Sequence, residues 1–379
     1  MSQPRVETLL KRINTKEFTA HLPVPCAAGR ARWRPPHPGG LVASASRSVS
    51  VKDVAAAAGV SVGTVSNVLN RPEKVSPATL EHVTAVIDRL GFIRNDAARQ
   101  LRAGSNRAVG MVVLDVANPF FTDVARGVEE SLAEVGRPLI LGNSGQDPDR
   151  ERTYLDLFEE QRVSGLLVSP VGSVLPRLRR LRDRGTAVVV VDRRVEGQEF
   201  SFVAVDDLLG GRIAAQHLLD RGHRRLAFLG GPAELTQIQL RHRGAEAAVA
   251  AVDGATLRFL ETGSMDAGAG RRGAEELLAL PPDDRPDAIF AANDLVALGV
   301  LQALTLAGIR VPEDVAIIGY DDIDFAASAA IPLSSVRQPR EELGAVAAEL
   351  LLARIADPDG PVREVTLEPT LVVRRSTGG

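Results

Sequence analysis

Short apolar runs alternate with amphipathic, helically periodic stretches from residue 108 to the C-terminus. Such runs, bounded by turn residues, are typical of strands buried in a parallel sheet, and their alternation with helices predicts repeated βα units. About nine units exceed one doubly wound sheet, so we predict an α/β core with parallel sheets in two lobes and a cleft between them. The predicted strands are 109–114, 139–142, 165–169, 187–191, 202–205, 226–230, 257–260, 288–291 and 315–319, and the predicted helices include 122–135, 150–161, 211–219, 294–307 and 340–355.

A different pattern, of short helices alone, precedes this core. Apolar positions at helical spacing predict helices over 51–58 and 62–70, with Gly59 in the turn between them and Ser61 capping the second helix. Two short helices joined in this way form a helix-turn-helix. Small residues at Ala55 and Gly59 are expected to let the two helices approach closely.

A third helix and a marginal segment follow. Ser76 is a favoured capping residue, Pro77 is tolerated in a first turn, and Gly91 is expected to end the helix. Residues 95–103 carry little apolar surface and are too short to be stably helical alone. We therefore expect them to order only against a partner.

These patterns divide the chain into four parts. Residues 1–48 are basic and Pro-rich, without sustained periodicity, and are predicted to be a disordered extension. The alternative is that the native chain begins at Val42 or Val49. The predicted parts are this extension, a helix-turn-helix domain over 49–93, a linker segment over 94–107, and the two-lobed domain over 108–379.

The composition is that of an ordinary globular protein, with 45% hydrophobic and 25% charged residues. The single cysteine, Cys26, excludes a disulfide scaffold, a cysteine-based zinc site and a CxxC redox pair, and it fits a reducing compartment. The histidines have no spacing that places two imidazoles on one helix face, so we expect no metal and no other cofactor. No apolar run reaches the roughly 18 residues of a membrane span and no signal peptide is recognisable, which predicts a cytoplasmic protein without a membrane partner.

The net charge of −3 hides an asymmetry along the chain. Residues 1–48 carry +6 and residues 49–107 carry +3, whereas the rest of the chain carries −12. A basic front on an acidic body indicates that only the front meets a polyanion such as nucleic acid. Basic N-termini are nevertheless common, so charge alone leaves this interpretation open.

Polar residues directly follow several predicted strands. Ligands of open parallel sheets bind beyond the carboxyl ends of the strands, and carboxylates, amides and guanidinium groups beside an aromatic wall suit a compact polyhydroxylated ligand such as a sugar. Taken singly, each residue is better explained as a helix cap, but several in phase favour a site. They are Asn118 with Phe120 and Phe121, Asp192 with Arg193, Asn293 with Asp294, and Asp321 with Asp322, while Arg241 is predicted to open a further helix.

The second helix of the helix-turn-helix is the candidate DNA-reading element. In this motif it enters the major groove with its first residues at base edges, which assigns base reading to Val62, Gly63 and Asn67. Asn67 can bond bidentately to adenine, Val62 can pack on a thymine methyl, and Gly63 permits close approach. The alternative is a three-helix interaction module that never touches DNA, which the +3 charge and the polar helix make weaker. Phosphate contacts are assigned to Lys52, Ser61, Thr64, Ser66, Asn70 and Arg71.

Catalytic signatures are weak by comparison. The chain has no GxSxG elbow, no GxxxxGK[ST] phosphate loop and no GxGxxG opening the first helix of the core. Asp321, Asp322 and Asp324 suggest a metal or acid–base cluster, but they occur at one spacing without partners. We therefore predict no catalytic residue and no enzyme activity.

Together these features resemble the lactose/galactose repressor (LacI/GalR) family from about residue 49 to residue 375. The most specific stretch is VKDVAAAAGVSVGTVSNVLN at 51–70, followed by GFIRNDAARQL at 91–101. Further matches are RGHRRLAFLGGP at 221–232, AND at 292–294, VPEDV at 311–315 and IGYDD at 318–322. The resemblance implies a dimeric transcription regulator whose core is similar to a periplasmic sugar-binding protein.

The resemblance also implies roles for individual residues. The segment that contains Ala98 and ends at Leu101 is similar to a hinge helix that folds on the operator and inserts Leu101 into the minor groove. Where many sugar-binding members have an aromatic wall, this chain has Met265, so the identity of the effector stays open. The family's effector contacts correspond to Asn118, Phe120, Phe121, Asp192, Arg193, Arg241, Asn293, Asp321 and Gln338.

We therefore predict a homodimer that binds palindromic double-stranded operator DNA and represses carbohydrate-utilisation genes. A small carbohydrate effector is expected to close the cleft between the lobes and thereby to change operator affinity by a coupling of typically about 1–3 kcal/mol, with release of DNA preferred over tightening. Two alternatives stay open. A stand-alone sugar receptor would need an export signal and no helix-turn-helix, and an enzyme acting on sugars would form a product.

Overall fold

The structure is a computed structural model that describes residues 49–92 and 107–379, except residues 196 and 198. The described residues form two compact units, 49–92 and 107–379. The predicted extension over 1–48 and most of the linker over 94–107, including Ala98 and Leu101, lie outside the described residues. Across the described ranges, every helix is too short or too polar to span a bilayer.

The first unit consists of three helices, α1 (Val51–Ala58), α2 (Val62–Asn70) and α3 (Pro77–Leu90). A serine caps each helix and accepts a hydrogen bond from the backbone of the third residue that follows it. These caps satisfy backbone donors that the first turn leaves unpaired. The predicted bounds of the first two helices are confirmed, because the caps are legible in the sequence. The buried core of this unit is Val54, Ala55, Ala58, Val65, Val68, Val83, Val86 and Phe92.

The role predicted for Gly59 in helix packing is wrong. Gly59 has a φ of +63°, and a Cβ added to it would meet no atom within 4 Å. The turn therefore needs glycine because its backbone is left-handed, a conformation that residues with a Cβ rarely adopt. It does not need glycine for close approach of the helices. Ala55, by contrast, is buried between the helices as predicted.

The second unit contains two six-stranded sheets that share one strand order. The first sheet, in lobe 1, has the order β11-β5-β4-β3-β1-β2, and the second, in lobe 2, has the order β12-β10-β9-β8-β6-β7. All neighbouring strands are parallel except β10 and β12. The strands are β1 (Val109–Val113), β2 (Leu139–Asn143), β3 (Gly165–Val168), β4 (Ala187–Val191), β5 (Ser201–Val205), β6 (Arg225–Gly230), β7 (Thr256–Glu261), β8 (Ala288–Ala291), β9 (Ala316–Asp321), β10 (Ser334–Arg337), β11 (Glu364–Leu367) and β12 (Thr370–Val372).

Helices cover both faces of each sheet, as parallel sheets require. Lobe 1 has α4 (Pro119–Ala133), α5 (Pro148–Glu160), α6 (Leu175–Asp183) and α12 (Arg340–Ala356), and lobe 2 has α7 (Asp207–Asp220), α8 (Thr236–Val249), α9 (Ala267–Leu278), α10 (Asp294–Leu306) and α11 (Asp324–Ser328). The chain passes between the lobes after β5, after β10 and after β11. The cleft between the lobes therefore lies at the carboxyl ends of the strands.

Pairs of glycines let three helix pairs approach closely. In each pair, a Cβ added to either glycine would lie 2.4 Å or less from a backbone oxygen of the facing helix. Any larger residue would therefore push the helices apart. The pairs are Gly127 with Gly344 between α4 and α12, Gly211 with Gly244 between α7 and α8, and Gly270 with Gly299 between α9 and α10.

Several sequence predictions of the core need correction. The predicted strands did not include β10, β11 and β12, which are short. The predicted helices did not name α6, α9 and α11, and they placed the start of α8 at Arg241. Helix α4 begins at Pro119 and not at residue 122, because Asn118 caps it and proline fits its first position. Arg241 does not open a helix, since α8 begins five residues earlier, at Thr236.

Candidate functional site

A small cavity lies in the cleft between the two lobes. Asp294 and Asp322, which the sequence also offered at the strand ends, lie outside its lining. All of the effector contacts that the family resemblance implies line it, except Arg193. Because they come from the ends of different strands and from helix starts, only the fold brings them together. The lining consists of Leu114, Asn118, Phe120, Phe121, Asp192, Gln237, Arg241, Met265, Asn293, Asp321 and Gln338.

Asp192 projects from the end of β4 in lobe 1 and is almost completely buried. Gln237 of lobe 2 donates from Nε2 to the Asp192 backbone oxygen at 2.9 Å and to its Oδ2 at 3.0 Å. The other carboxyl oxygen, Oδ1, is buried with no hydrogen-bond partner among the described residues. Burial, with the charge of nearby Asp207, raises the pKa of Asp192 to about 8. This carboxyl group is therefore largely protonated at neutral pH.

Asp321 occupies the corresponding place in lobe 2, as the last residue of β9. Its Oδ2 accepts a hydrogen bond from Asn118 of lobe 1 at 3.0 Å, and its Oδ1 accepts one from Gln338 at 2.7 Å. Burial raises the pKa of Asp321. The Oε1 atom of Gln338 is buried without a partner among the described residues. Two buried oxygen atoms in this cleft, Asp192 Oδ1 and Gln338 Oε1, thus lack hydrogen-bond partners among the described residues.

Arg241 supplies the positive charge of the site. It is buried, and its Nε donates to Asp207 Oδ1 at 2.7 Å while Nη1 donates to the Ala292 backbone oxygen at 2.8 Å. Its guanidinium carbon lies 3.7 Å from the centre of the Tyr320 ring, and the Tyr320 hydroxyl donates to the same Asp207 oxygen at 3.1 Å. A paired guanidinium held over an aromatic face is fixed in position and stays charged.

Two aromatic rings form an apolar wall of the site. Phe120 and Phe121 are buried, with ring centres 4.9 Å apart in an edge-to-face arrangement. Met265 and Asn293 lie on the lobe 2 side, where Asn293 Nδ2 donates to the Met265 backbone oxygen at 3.1 Å. An apolar wall opposite carboxyl and amide groups is the arrangement that binds sugar rings in many proteins.

The alternative of simple helix caps holds for part of this set. Asn118 accepts from the Phe120 backbone nitrogen at the start of α4, and Asn293 accepts from the Val296 backbone nitrogen at the start of α10. These two residues both cap a helix and line the cavity. Asp192 and Asp321 cap no helix, because Asp206 and Ile323 occupy the caps that follow them.

The three aspartates that suggested a metal cluster, Asp321, Asp322 and Asp324, lie in different environments. Asp321 accepts from two amides, Asp322 pairs with Arg337 and Arg374, and the side chain of Asp324 is exposed. Among the described residues, no group of side chains has the composition of a metal site.

Two residues change the predicted site. Arg193 lies outside the cavity lining, and its Nη1 donates to the Gly172 backbone oxygen at 2.9 Å. Gln237 lines the cavity but was not predicted from the sequence. A signal for it existed, since Gln237 precedes Arg241 by one helical turn and therefore lies on the same face of α8.

The cavity is small in this conformation. Its volume is about 20 Å³, which is room for about one water molecule. Pockets for small-molecule ligands usually measure about 300–1000 Å³. A sugar therefore enters this site only if the lobes separate or the lining side chains move.

In the first unit, the predicted base-reading residues lie on the outer surface of α2. Val62, Gly63 and Asn67 are exposed, and Val62 shows 47% of its surface, whereas Val65 and Val68 of the same helix are buried. The predicted phosphate-contacting residues Lys52 and Arg71 are exposed as well. Helix α2 thus presents a polar face with a single apolar tip.

Several predicted phosphate contacts already serve the helix itself. Ser61 caps α2 by accepting from the Thr64 backbone nitrogen at 3.0 Å, and the hydroxyls of Ser61 and Thr64 lie 2.9 Å apart. Asn70 Nδ2 donates to the Ser66 backbone oxygen at 2.8 Å. These bonds use side-chain groups that could otherwise reach a phosphate, so Ser61, Thr64, Ser66 and Asn70 stay predictions.

Comparison with known families and proteins gives two matches within the chain. Residues 50–95 match the family described as bacterial regulatory proteins, lacI family, and residues 215–377 match a periplasmic binding protein-like domain. The chain is 36% identical over 334 residues to the ribose operon repressor of Escherichia coli strain K12, covering 86% of this chain and 99% of that protein. It is 35% identical over 332 residues to the HTH-type transcriptional repressor PurR of Photobacterium profundum, covering 86% and 98%.

Solved structures show the same architecture. The lac repressor dimer bound to operator and the anti-inducer ONPF matches with a TM-score of 0.73 and 26% identity, covering 87% of this chain and 99% of that one. A LacI family transcriptional regulator from Enterococcus faecium with bound ribose matches with a TM-score of 0.65 and 30% identity, covering 71% and 98%.

Proposed function

The chain belongs to the lacI family of bacterial regulatory proteins, and on that premise we propose that it is a cytoplasmic homodimer that represses carbohydrate-utilisation genes. It binds a palindromic operator through two copies of α2, and a small sugar in the cleft between the lobes releases it. The similarity to a repressor dimer on its operator supports the dimer and the DNA partner. The relatives are transcriptional repressors, which supports regulation over catalysis.

One observation supports the proposal that the effector is a sugar. The cleft holds two buried oxygen atoms without hydrogen-bond partners among the described residues, Asp192 Oδ1 and Gln338 Oε1, beside an edge-to-face pair of aromatic rings. Buried polar atoms without partners are costly, and ligand hydroxyl groups, which both donate and accept, would satisfy them. A pentose such as ribose provides several hydroxyls on a compact ring, and ribose is named for two of the similar proteins.

The division of labour along the chain is part of this proposal. Residues 49–93 bind DNA, 94–107 form the hinge helix and linker with Ala98 and Leu101 on the operator, and 108–379 bind the effector and dimerise. Residues 1–48 are the basic, Pro-rich extension predicted from the sequence. The effector contacts are those predicted from the sequence, all of which line the cavity except Arg193.

The experiment on the effector is a thermal-shift screen of the purified full chain with pentoses, hexoses and purine bases, followed by operator binding with each hit. We expect a pentose to raise the unfolding temperature and to weaken binding to an operator selected from random DNA. Stabilisation by a purine base and not by any sugar would contradict the proposed effector class. A sugar that is chemically converted would favour an enzyme instead.

The experiment on DNA reading compares two substitutions in the first unit. Asn67→Ala should weaken binding to the selected operator by about 1–3 kcal/mol and leave binding to random DNA nearly unchanged, because bidentate contacts discriminate between bases. Lys52→Ala is the matched control, since the loss of a phosphate contact weakens binding to both DNAs by a similar factor. Equal losses on both DNAs for Asn67→Ala would remove this residue from base reading.

A further inference from the structure

Two hydrogen-bonded pairs cross the cleft, and each joins a carboxyl group of one lobe to an amide of the other. Asp192 of lobe 1 accepts from Gln237 of lobe 2, and Asp321 of lobe 2 accepts from Asn118 of lobe 1. We propose that these two reciprocal pairs form a latch that holds the lobes together, and that an effector binds by exchanging its hydroxyl groups for the latch bonds. The role proposed for Gln237 is thus to position Asp192 and close the cleft.

The topology makes the two pairs equivalent. Strands β4 and β9 hold the same position in their sheets, and each carries its aspartate at or just beyond its last residue. Helix α4 follows β1 and helix α8 follows β6, again the same position in both sheets. Each amide lies at the beginning of its helix: Asn118 is the cap of α4 and Gln237 is the second residue of α8. The same contact is therefore built twice, once in each direction across the cleft.

The backbone supports this arrangement at both aspartates. Asp192 has a φ of +61° and Asp321 a φ of +101°, conformations that few residues other than glycine adopt. Such backbones persist where the surrounding structure holds them, and they concentrate at binding sites. Gln237 reaches both the side chain and the backbone oxygen of Asp192, so it fixes the turn as well as the carboxyl group.

The latch and a bound sugar exclude each other in this conformation. The latch residues line a cavity of about 20 Å³, far less than a ligand pocket needs. A molecule whose hydroxyls donate to the carboxyl groups and accept from the amides could replace both pairs without leaving a buried group unpaired. A purely apolar molecule could not. This deepens the proposed function, because it rests on the sugar effector and defines how the sugar competes for the site.

The latch predicts that removing one pair opens the cleft without any sugar. A ligand that binds only the open form gains apparent affinity when the open fraction rises. Gln237→Leu should therefore raise the open fraction by about tenfold, the change expected from removing one hydrogen bond to a charged or polarised group. The same substitution also removes the amide that the sugar would bind, so the open fraction, and not ribose affinity, reports on the latch. If Gln237 acted only as a direct ligand contact, Gln237→Leu would weaken ribose binding and leave the open fraction unchanged.

The direct test measures the distance between the lobes in the full-length protein. Nitroxide spin labels are placed at Arg180→Cys in lobe 1 and Glu276→Cys in lobe 2, both exposed, in a Cys26→Ser background. Labelled chains are mixed with excess unlabelled chain, so that the measured distances lie within one protomer. Three variants are compared without sugar: Gln237→Leu, Asn118→Asp and the control Gln239→Leu.

Each variant changes one residue of the latch or its control. Asn118→Asp keeps an oxygen to cap α4, loses the donor to Asp321 and places a second carboxyl group against it, so repulsion adds to the loss of the bond. Gln239 lies on the same helix as Gln237, is exposed, and bonds only to the Ala233 backbone oxygen within lobe 2. We expect the parent protein and Gln239→Leu to give one narrow distance distribution. Gln237→Leu and Asn118→Asp should add a second population with an increase of about tenfold in the open fraction.

The outcomes separate the latch from the proposed effector. Distance distributions that stay identical in all variants, or that change equally in Gln239→Leu, would overturn the latch. A second population in the two latch variants together with no binding of ribose would leave the latch standing and refute the pentose as effector. Weaker ribose binding in Gln237→Leu without a second population would show a simple ligand contact and would also overturn the latch.

Discussion

Asp192 joins an uncommon backbone to an uncommon protonation state. Its left-handed φ is one that aspartate and asparagine tolerate better than other residues with a side chain. Its surroundings contain the carboxyl groups of Asp207 and Asp321 and the guanidinium of Arg241. Burial and the neighbouring carboxyl groups raise the pKa of Asp192, and Arg241 opposes this shift only in part.

This protonation makes the stability of the second unit depend on pH. A carboxyl group with a pKa of about 8 when folded and about 4 when unfolded binds its proton more tightly in the folded state. Its contribution to the free energy of unfolding therefore falls as pH rises from about 4 to about 8, by at most about 1.4 kcal/mol per pH unit. Asp192→Asn keeps the shape and the tolerated φ but cannot ionise.

The measurement is urea unfolding of the parent and of Asp192→Asn between pH 5 and pH 8. The difference in unfolding free energy between them should grow in favour of the variant as pH rises. Carboxyl groups distant from Asp192 titrate in both proteins and cancel in this difference, whereas Asp207 and Asp321 interact with Asp192, so the difference reports the titration of this cluster. A difference that is constant with pH would show that Asp192 is ionised throughout.

Arg241 is as much a structural residue as a candidate ligand contact. Arg241→Ala would leave Asp207 buried without its guanidinium partner, and breaking a buried ion pair in this way costs about 3–5 kcal/mol. We expect a marked loss of stability in the second unit, visible as a lower unfolding temperature. The double variant Arg241→Met with Asp207→Asn removes both charges and should recover most of this loss. A stable single variant that only loses the effector response would show that Arg241 is not needed for folding.

At the scale of elements, helix crossings set the position of the binding residues. The crossing of α7 and α8 is closed by Gly211 and Gly244, and a Cβ on Gly211 would lie 2.0 Å from the Arg241 backbone oxygen. The same crossing therefore brings Arg241 of α8 to Asp207 at the start of α7. Close packing of two helices is in this way a requirement for the geometry of the cleft.

A single methyl group in this crossing should be costly. Gly244→Ala would place a Cβ 2.1 Å from the Leu208 backbone oxygen, so the helices must separate. We expect a loss of about 1–3 kcal/mol in the unfolding free energy, as for other overpacked cores, together with a weaker effector response. Ala247→Leu, on the exposed side of the same helix, adds more volume into solvent and should change neither. An unchanged stability in Gly244→Ala would show that the crossing can expand freely.

At the scale of the whole molecule, charge is distributed unevenly along the chain. The part before residue 108 is basic and the rest is acidic, so attraction to DNA is concentrated in the part of the chain that contains α2. Phosphate contacts release condensed counterions, which makes the affinity depend on salt. If each dimer neutralises about six or more phosphates, operator affinity should fall by about 10³ or more between 50 and 200 mM salt.

Fluorescence anisotropy with a labelled operator checks this dependence. The slope of the logarithm of affinity against the logarithm of salt concentration should be steep for the parent and shallower by about one for each phosphate contact removed. A flat profile would contradict docking of α2 in the major groove of the operator.

The sequence by itself determined the three helices of the first unit, because their serine caps, glycine ends and apolar spacing act within a few residues. It also determined the parallel α/β character of the core and placed polar residues at the ends of the right strands. The prediction of Asn118 and Asp321 as effector contacts rested on their positions directly after predicted strands. The remaining contacts rested also on the resemblance to a family.

Only the tertiary structure decided which residues face each other across the cleft. Gln237 shares one face of α8 with Arg241, but this spacing does not show which residue it meets, and its role depends on Asp192, 45 positions earlier in the chain. The edge strands β11 and β12 are short and half-exposed, so their apolar pattern is weak, and they are fixed by pairing with β5 and β10. Local patterns arise from neighbours in sequence, whereas pairing, burial and shifted pKa values arise from neighbours in space, and those exist only after folding.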